Sequence, residues 1–413
     1  MLRTLKINRF KSIHDQSIDF GAVNLFIGAN GSGKSNLLEA IGIVSAALER
    51  GITDSDLARK GVRLSTPALF KSAFKNDKLP RTLQLSAYFD RQVTYSFELT
   101  ARDSDTSLRF NTEKIKLSDA TLFGRSGNGA TAMGTSLTQR PNERRSVWDQ
   151  TRSVHQVPIE VPLELDALAG YAIYSPQTAF LRGEEVGTVQ SPPIGLHGEG
   201  LPQAVLTLLR KFPTETKENQ SLYTDVWSLV WLPGWARQFR VGPVDPILTS
   251  SRSKTGSETL YFLDKFMHSK RNTLSAYDSS EGTLFLLFVV TLLLHPDSPD
   301  IFALDNVDNA LDPKMTRLVI EKIIRATVDP VFEDAGLGPR QVFMTSHNPT
   351  AADAFDLFDD RNRIFVVKRQ DGRTVVNRLK PPDGMTKEEW ITLRAGRSLS
   401  ELWIEGQIPD ALG

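Results

Sequence analysis

The chain has 413 residues, with 49 Lys plus Arg against 49 Asp plus Glu and no cysteine. That length suits one large α/β domain with a sizeable insertion, or two to three modules, and the balanced charge removes a global drive toward nucleic acid while leaving local basic patches open. The missing thiols exclude disulfides, cysteine zinc sites and a thiol nucleophile, and they fit a cytoplasmic protein.

The opening MLRTLKINRFKSI has no apolar h-region, so no secretory leader is expected. Leu2, Leu5, Ile7, Phe10, Ile13 and Ile18 predict short strands. AVNLFIG predicts another strand, running into the glycine-rich GANGSGKS. NLLEAIGIVSAAL then has helical spacing through Leu37, Leu38, Ile41 and Val44. TLQLSAYFD, VTYSFELTA and SLRFNTEKIKL alternate and predict antiparallel strands. Residues 118–156 are rich in Gly, Ser, Thr and Arg without a period, which predicts a loop or mobile insertion. Two helices holding much of the tryptophan are expected between Leu201 and about Phe239. The most apolar run, TLFLLFVVTLLL, is too short to span a bilayer and predicts a buried core helix. DIFALD predicts a buried strand, Pro313–Ala326 a helix and QVFMTSH a further strand. RIFVVKR and RTVVNRL flank QDG as a hairpin, and the C-terminal stretch reads as a helix and short tail. No repeat and no long heptad pattern is present.

Four motifs carry chemistry. GANGSGKS, Gly28 to Ser35, matches G-x-x-x-x-G-K-S in full and sits between a predicted strand and a predicted helix. Its glycines let backbone N–H groups curl toward phosphates, and the helix N-terminus adds partial positive charge. Asn30, Gly31, Ser32, Gly33, Lys34, Ser35 and Asn36 are therefore the candidate ATP-binding residues. Lys34 would reach the β- and γ-phosphates, and Ser35 would ligate Mg2+. Asp305 ends the apolar IFALD and supplies the second metal-site acid. SSEGTLFLL places Ser280 and Gly282 at a helix start suited to a γ-phosphate, and FMTSHNP ends a strand with His347, placed to touch a γ-phosphate or the attacking water.

In order and wording these motifs resemble the ABC-type ATPase heads of the RecF/SMC-like group, over about residues 1–50 and 270–370. LKINRFKSIHDQSIDFGAVNLFIGANGSGKSNLLEAI looks like their opening segment. SSEG resembles their signature, FALDN their Walker B, NALD their D-loop and TSH their H-loop. The resemblance implies an α/β P-loop NTPase head with a mixed central sheet, an antiparallel β lobe and a helical lobe. The head would be discontinuous, over 1–100 and 241–380. Residues 101–240 would form an insertion with a β/loop part and a helical section, and 381–413 a C-terminal helix and tail. It also implies a head-to-head homodimer, or a higher oligomer, with ATP sandwiched between one subunit's P-loop and the other's signature. Gln177 in YSPQTAFLRG is a candidate Q-loop glutamine.

No long coiled coil or cysteine hook lies between Ser35 and Ser280, so an SMC-type arm is not expected, and no membrane segment suggests an importer or exporter. The stretch after His347 is too short for a fused Toprim nuclease, so an effector, a nuclease or toxin, is expected as a separate polypeptide. Compact heads of this kind resemble ATPase subunits of bacterial anti-phage defence systems. The alternatives are a RecF-like DNA-repair ATPase that binds DNA in an ATP-dependent manner, and a non-enzymatic architectural dimer. QRPNERRSVWDQTR gathers Arg140, Arg144, Arg145 and Arg152 near Trp148. It reads as a solvated loop or as a contact for nucleic acid or a partner.

The family's residue after the Walker B acid is normally glutamate, which polarises the attacking water. Here it is Asn306, which can orient water but cannot take a proton. An engineered ATP trap would ordinarily carry glutamine. Asp308 and His347 could compensate, so Asn306, Asp308 and His347 are the catalytic candidates. The expectation is normal ATP binding and dimerisation with slow hydrolysis.

Overall fold

Along Val93–Thr100 every second residue is buried, the pattern of a strand with one face on a core. The computed structural model describes residues 1–102, 105–187 and 193–408. It divides the chain into two units. The first comprises Met1–Ile173, Asp300–Asp305 and Arg340–Gly413, and the second comprises Tyr174–Pro299 and Asn306–Pro339.

The first unit holds two sheets. One is eight-stranded and antiparallel, in the order Ile13–Asp19, Leu2–Phe10, Thr82–Phe89, Val93–Thr100, Arg109–Leu117, Ala120–Ser126, Gly129–Ala132 and Thr135–Ser136. The other is six-stranded and mixed. Ile301–Leu304, Gln341–Ser346, Val23–Ile27 and Asn362–Gln370 run parallel, with Arg373–Leu379 antiparallel at one edge and the short strand Ile173–Tyr174, of which Ile173 belongs to this unit, at the other. The parallel strand Val23–Ile27 is buried throughout, as sheets covered on both faces require. Phe20 packs edge-on against Phe343 at 5.1 Å and Phe26 at 6.3 Å. Gln341 is fully buried and takes three hydrogen bonds. It accepts from Leu2 N at 3.1 Å and donates to Leu2 O at 2.9 Å and Gly21 O at 2.7 Å, so one amide ties the two sheets together.

The expected hairpin closes through Asp371 (φ 50°) and Gly372 (φ 77°), the left-handed pair that a two-residue turn demands. The loop expected over 118–156 is corrected. That stretch contains three strands, Ala120–Ser126, Gly129–Ala132 and Thr135–Ser136, and the helix Val147–Thr151. The buried positions of its strands are Phe123, Arg125, Ala130 and Ala132, and with one large apolar residue among them they do not register as hydrophobic alternation. The C-terminal stretch holds two helices, Lys387–Arg394 and Leu399–Ile404, and the expected tail at 409–413 lies outside the described residues.

The second unit packs helices Leu201–Lys211 and Lys217–Trp227 against the apolar helix Glu281–Leu294, whose residues from Gly282 to Leu294 are all buried. Tyr223 Oη donates to Leu294 O at 3.4 Å, and Trp235 Nε1 donates to Thr283 Oγ1 at 2.9 Å. A three-stranded antiparallel sheet, Ala236–Pro243, Glu258–Asp264 and Thr273–Ser275, completes it. Among the described residues no helix exceeds 16 residues, so no long coiled coil exists, and none is long and apolar enough to cross a membrane.

Candidate nucleotide-binding site

The parallel strands of the first unit end side by side, with Ile27 in register with Ser346 and Val366. Ligands of open α/β sheets bind at this carboxyl edge. The glycine loop leaves Ile27 and turns into the helix Lys34–Glu49, with Gly33 as its N-cap at φ 105°. A Cβ on Gly33 would collide with Thr374 Oγ1 and stand 3.0 Å from Ser12 Oγ, so both the bend and the wall require glycine there. Thr374 Oγ1 donates to Ser32 O at 2.8 Å and pairs with Ser12 Oγ at 2.7 Å, while Asn36 Nδ2 donates to Ser12 Oγ at 2.6 Å.

Lys34 lies back across the loop, its Nζ donating to Gly28 O at 2.6 Å and Ala29 O at 3.1 Å. Ser35 Oγ stands 3.2 Å from Asp305 Oδ2 and 3.4 Å from Oδ1. Thr345 Oγ1 donates to Asp305 Oδ1 at 2.5 Å. Ser32 Oγ is buried without a hydrogen-bond partner among the described residues, as a hydroxyl reserved for a phosphate oxygen would be. His347 follows Ser346 at the same sheet edge and is exposed.

A second ring of charge supports the loop. Glu39 is 2% exposed and is bonded by Lys11 and by Arg63 Nε at 2.6 Å, while Arg63 Nη2 is 3.5 Å from Asn36 Oδ1. The Glu39 hydrogen bond and charge hold the Arg63 guanidinium above its ordinary pKa, and Asp305 adds to the effect. Thr345, Thr374, Ser12 and Glu39 were beyond sequence reasoning, because each acts through a partner distant in the chain.

The donor set fits magnesium. Ser35 and Asp305 offer hard oxygens, and among the described residues no group of three or more His, Cys, Asp or Glu forms a metal cage. Magnesium takes one or two protein ligands and keeps waters and phosphate oxygens for the rest.

The remaining candidates belong to the second unit. Ser280 is the N-cap of Glu281–Leu294 without a side-chain capping bond, and Thr178 Oγ1 donates to the Glu281 carboxylate. A Cβ on Gly282 would lie 3.0 Å from Ala310 O, so the helix start and the following turn are in close backbone contact. Asn306 opens that turn in the left-handed region at φ 58°, and Asn309 N donates to its carbonyl at 3.0 Å. Asp308 is buried, and Asp312 Oδ1 caps the helix Pro313–Val328 by accepting from Met315 N at 2.9 Å. Gln177 Nε2 lies 3.3 Å from His197 Nδ1.

A strand, a glycine loop, a helix and a serine facing a strand-end carboxylate define a P-loop nucleotide site. Two protein-family models match the chain. One, "AAA domain", covers residues 4–142, and the other, "AAA domain, putative AbiEii toxin, Type IV TA system", covers residues 205–353. Both descriptions name an AAA domain, in keeping with the phosphate loop. No curated protein matches the chain. Solved structures similar in fold include an SMC head bound to the C-winged helix domain of ScpA, at 15% identity and TM-score 0.49, covering 93% of this chain and 99% of that one. The SMC head domain from Thermotoga maritima gives 14% and 0.40, covering 92% and 99%. The recombination mediator RecF with ATP gives 14% and 0.37, covering 92% and 99%.

Proposed function

We propose that this chain is an ATP-gated dimeric head that senses or scaffolds in a prokaryotic anti-phage defence system, with a separate nuclease or toxin as effector. The observation that carries the nucleotide part is the meeting of Ser35, Asp305 and Thr345 beside a complete phosphate loop. Lys34 and the loop amides hold the ATP phosphates, and Ser32 Oγ adds a donor. Ser35 and Asp305 would hold magnesium, which when bound neutralises phosphate charge. Ser280 and Gly282 present a helix N-terminus to the γ-phosphate of a partner's nucleotide.

Hydrolysis is slow in this reading because Asn306 has no proton-accepting oxygen of carboxylate strength. Asp308 and His347 give residual water orientation. The defence placement is supported by the toxin–antitoxin description of the family model over residues 205–353.

Two measurements test the reading. Light scattering with ATP, with ADP and without nucleotide should show a dimer, or a multiple of it, with ATP alone. Affinity purification from the native host should recover a nuclease or toxin. A monomer under all three conditions overturns the gating. Salt-sensitive, ATP-dependent DNA binding by the purified chain with no effector recovered favours the RecF-like repair reading instead.

A further inference from the structure

The arginines of QRPNERRSVWDQTR do not act together. Arg145 pairs with Asp149, and Arg152 pairs with Asp166 and covers the buried Trp148. Arg140 stands apart from them. It lines a hollow of about 320 Å³ in the antiparallel sheet's outer half, with Arg102, Arg109, Arg125, Asn111 and Glu143. That volume lies near the lower bound of small-ligand sites, roughly 300 Å³.

Four guanidiniums and the carboxylate of Glu143 line the hollow, and Asp105 and Glu113 stand beside Arg109 and Arg125, which leaves the charges of Arg102 and Arg140. Arg125 is 7% exposed. It lies 3.4 Å from the buried Glu113 and donates to Asn142 O at 3.0 Å and Arg145 O at 2.6 Å, yet its Nε has no partner among the described residues. Its guanidinium lies 5.0 Å from the centroid of the Phe110 ring, which also lines the hollow. Arg109 pairs with Asp105 at 2.6 Å and reaches Glu143 at 3.7 Å. Among the described residues, Arg102 and Arg140 form no ion pair. Like charges gathered around one space repel each other unless an anion enters, and the planar fork of arginine matches phosphate oxygens in pairs.

We infer that this hollow binds a small phosphate-bearing ligand, independently of the phosphate loop. A duplex is too wide for it. A pyrophosphate or a mononucleotide is not, and both present the same chemistry to the arginines.

The test is calorimetric titration of the full chain carrying Lys34→Ala, which disables the phosphate loop, with pyrophosphate and separately with AMP. At least one probe should bind, more weakly as salt is raised, and Arg102→Ala with Arg140→Ala should reduce that affinity at least tenfold. AMP binding more tightly than pyrophosphate identifies a nucleotide as the source, and the reverse order identifies an inorganic phosphate. No binding of either probe, or affinity within twofold after the arginine substitutions, overturns the inference. Both arginines are exposed and, among the described residues, neither side chain forms an ion pair, so the melting temperature should not move. If it does, Arg140→Gln alone carries the same expectation.

Discussion

Ser35 Oγ lies 3.2 Å from Asp305 Oδ2 across 270 residues of chain, and Thr345 fixes the far side of the same carboxylate. The serine and the acid thus converge on one point, and the threonine orients the acid. Outer partners of metal ligands typically contribute 10–100-fold in affinity. Thr345→Val should therefore weaken magnesium-dependent ATP binding by roughly 10–100-fold while nucleotide binding in EDTA changes little. Titration of a fluorescent ATP analogue at fixed magnesium checks it, and equal loss with and without the metal would contradict the orienting role.

Asn306 answers to two demands. Its backbone is left-handed at φ 58°, where Asn is the best-tolerated residue after Gly, and its side chain puts an amide directly after the strand-end acid Asp305. Asn306→Glu should raise steady-state ATP turnover about tenfold or more, within the 10²–10⁴ range of general-base catalysis, and destabilise the fold by about 1 kcal/mol. Asn306→Gly keeps the left-handed backbone and should not accelerate turnover. A glutamate variant no faster than the parent sinks the slow-switch reading.

Gln341→Leu removes three hydrogen bonds at once and leaves the backbone groups of Leu2 and Gly21 buried without that partner. A loss of about 2–3 kcal/mol is expected in urea unfolding. A change below about 0.5 kcal/mol would show that the amide does not tie the sheets.

Glu113 is fully buried, and burial raises its pKa to about 7 against the opposing pull of Arg125, Val147 N and Tyr95. The folded value lies above the unfolded one, so the folded state favours the protonated acid. Its contribution is fully present below about pH 4.5 and lost as pH rises to about 7. The swing is on the order of 3 kcal/mol, at about 1.4 kcal/mol per unit. Melting temperatures between pH 5 and 8 should fall more steeply for the parent than for Glu113→Gln. Parallel curves would refute the assignment.

The glycine loop, its flanking strand and helix, and the turn at Asp371 and Gly372 were legible because local chemistry decides them: φ signs, apolar runs and helical spacing. Asp305 was legible by its place at the end of an apolar strand. Thr345 and Thr374 were not, since a threonine inside a buried strand looks like packing until its partner is known. The strands at 120–136 escaped notice for a different reason. Their core-facing positions include Arg125, whose charge is balanced by Glu113 from the neighbouring strand, and two alanines. An inward arginine reads as surface when its counter-charge lies elsewhere in the sequence.

Thr374 has a consequence for the order of synthesis. It supports the phosphate loop through Ser32 O, 342 residues earlier in the chain, and fills the space that Gly33 leaves open. The loop therefore leaves the ribosome well before its wall, which follows 342 residues later. A nascent or truncated chain that stops before the hairpin carries every letter of GANGSGKS and lacks the surface that shapes it. The shape of the glycine loop therefore depends on a hairpin that the motif itself does not contain.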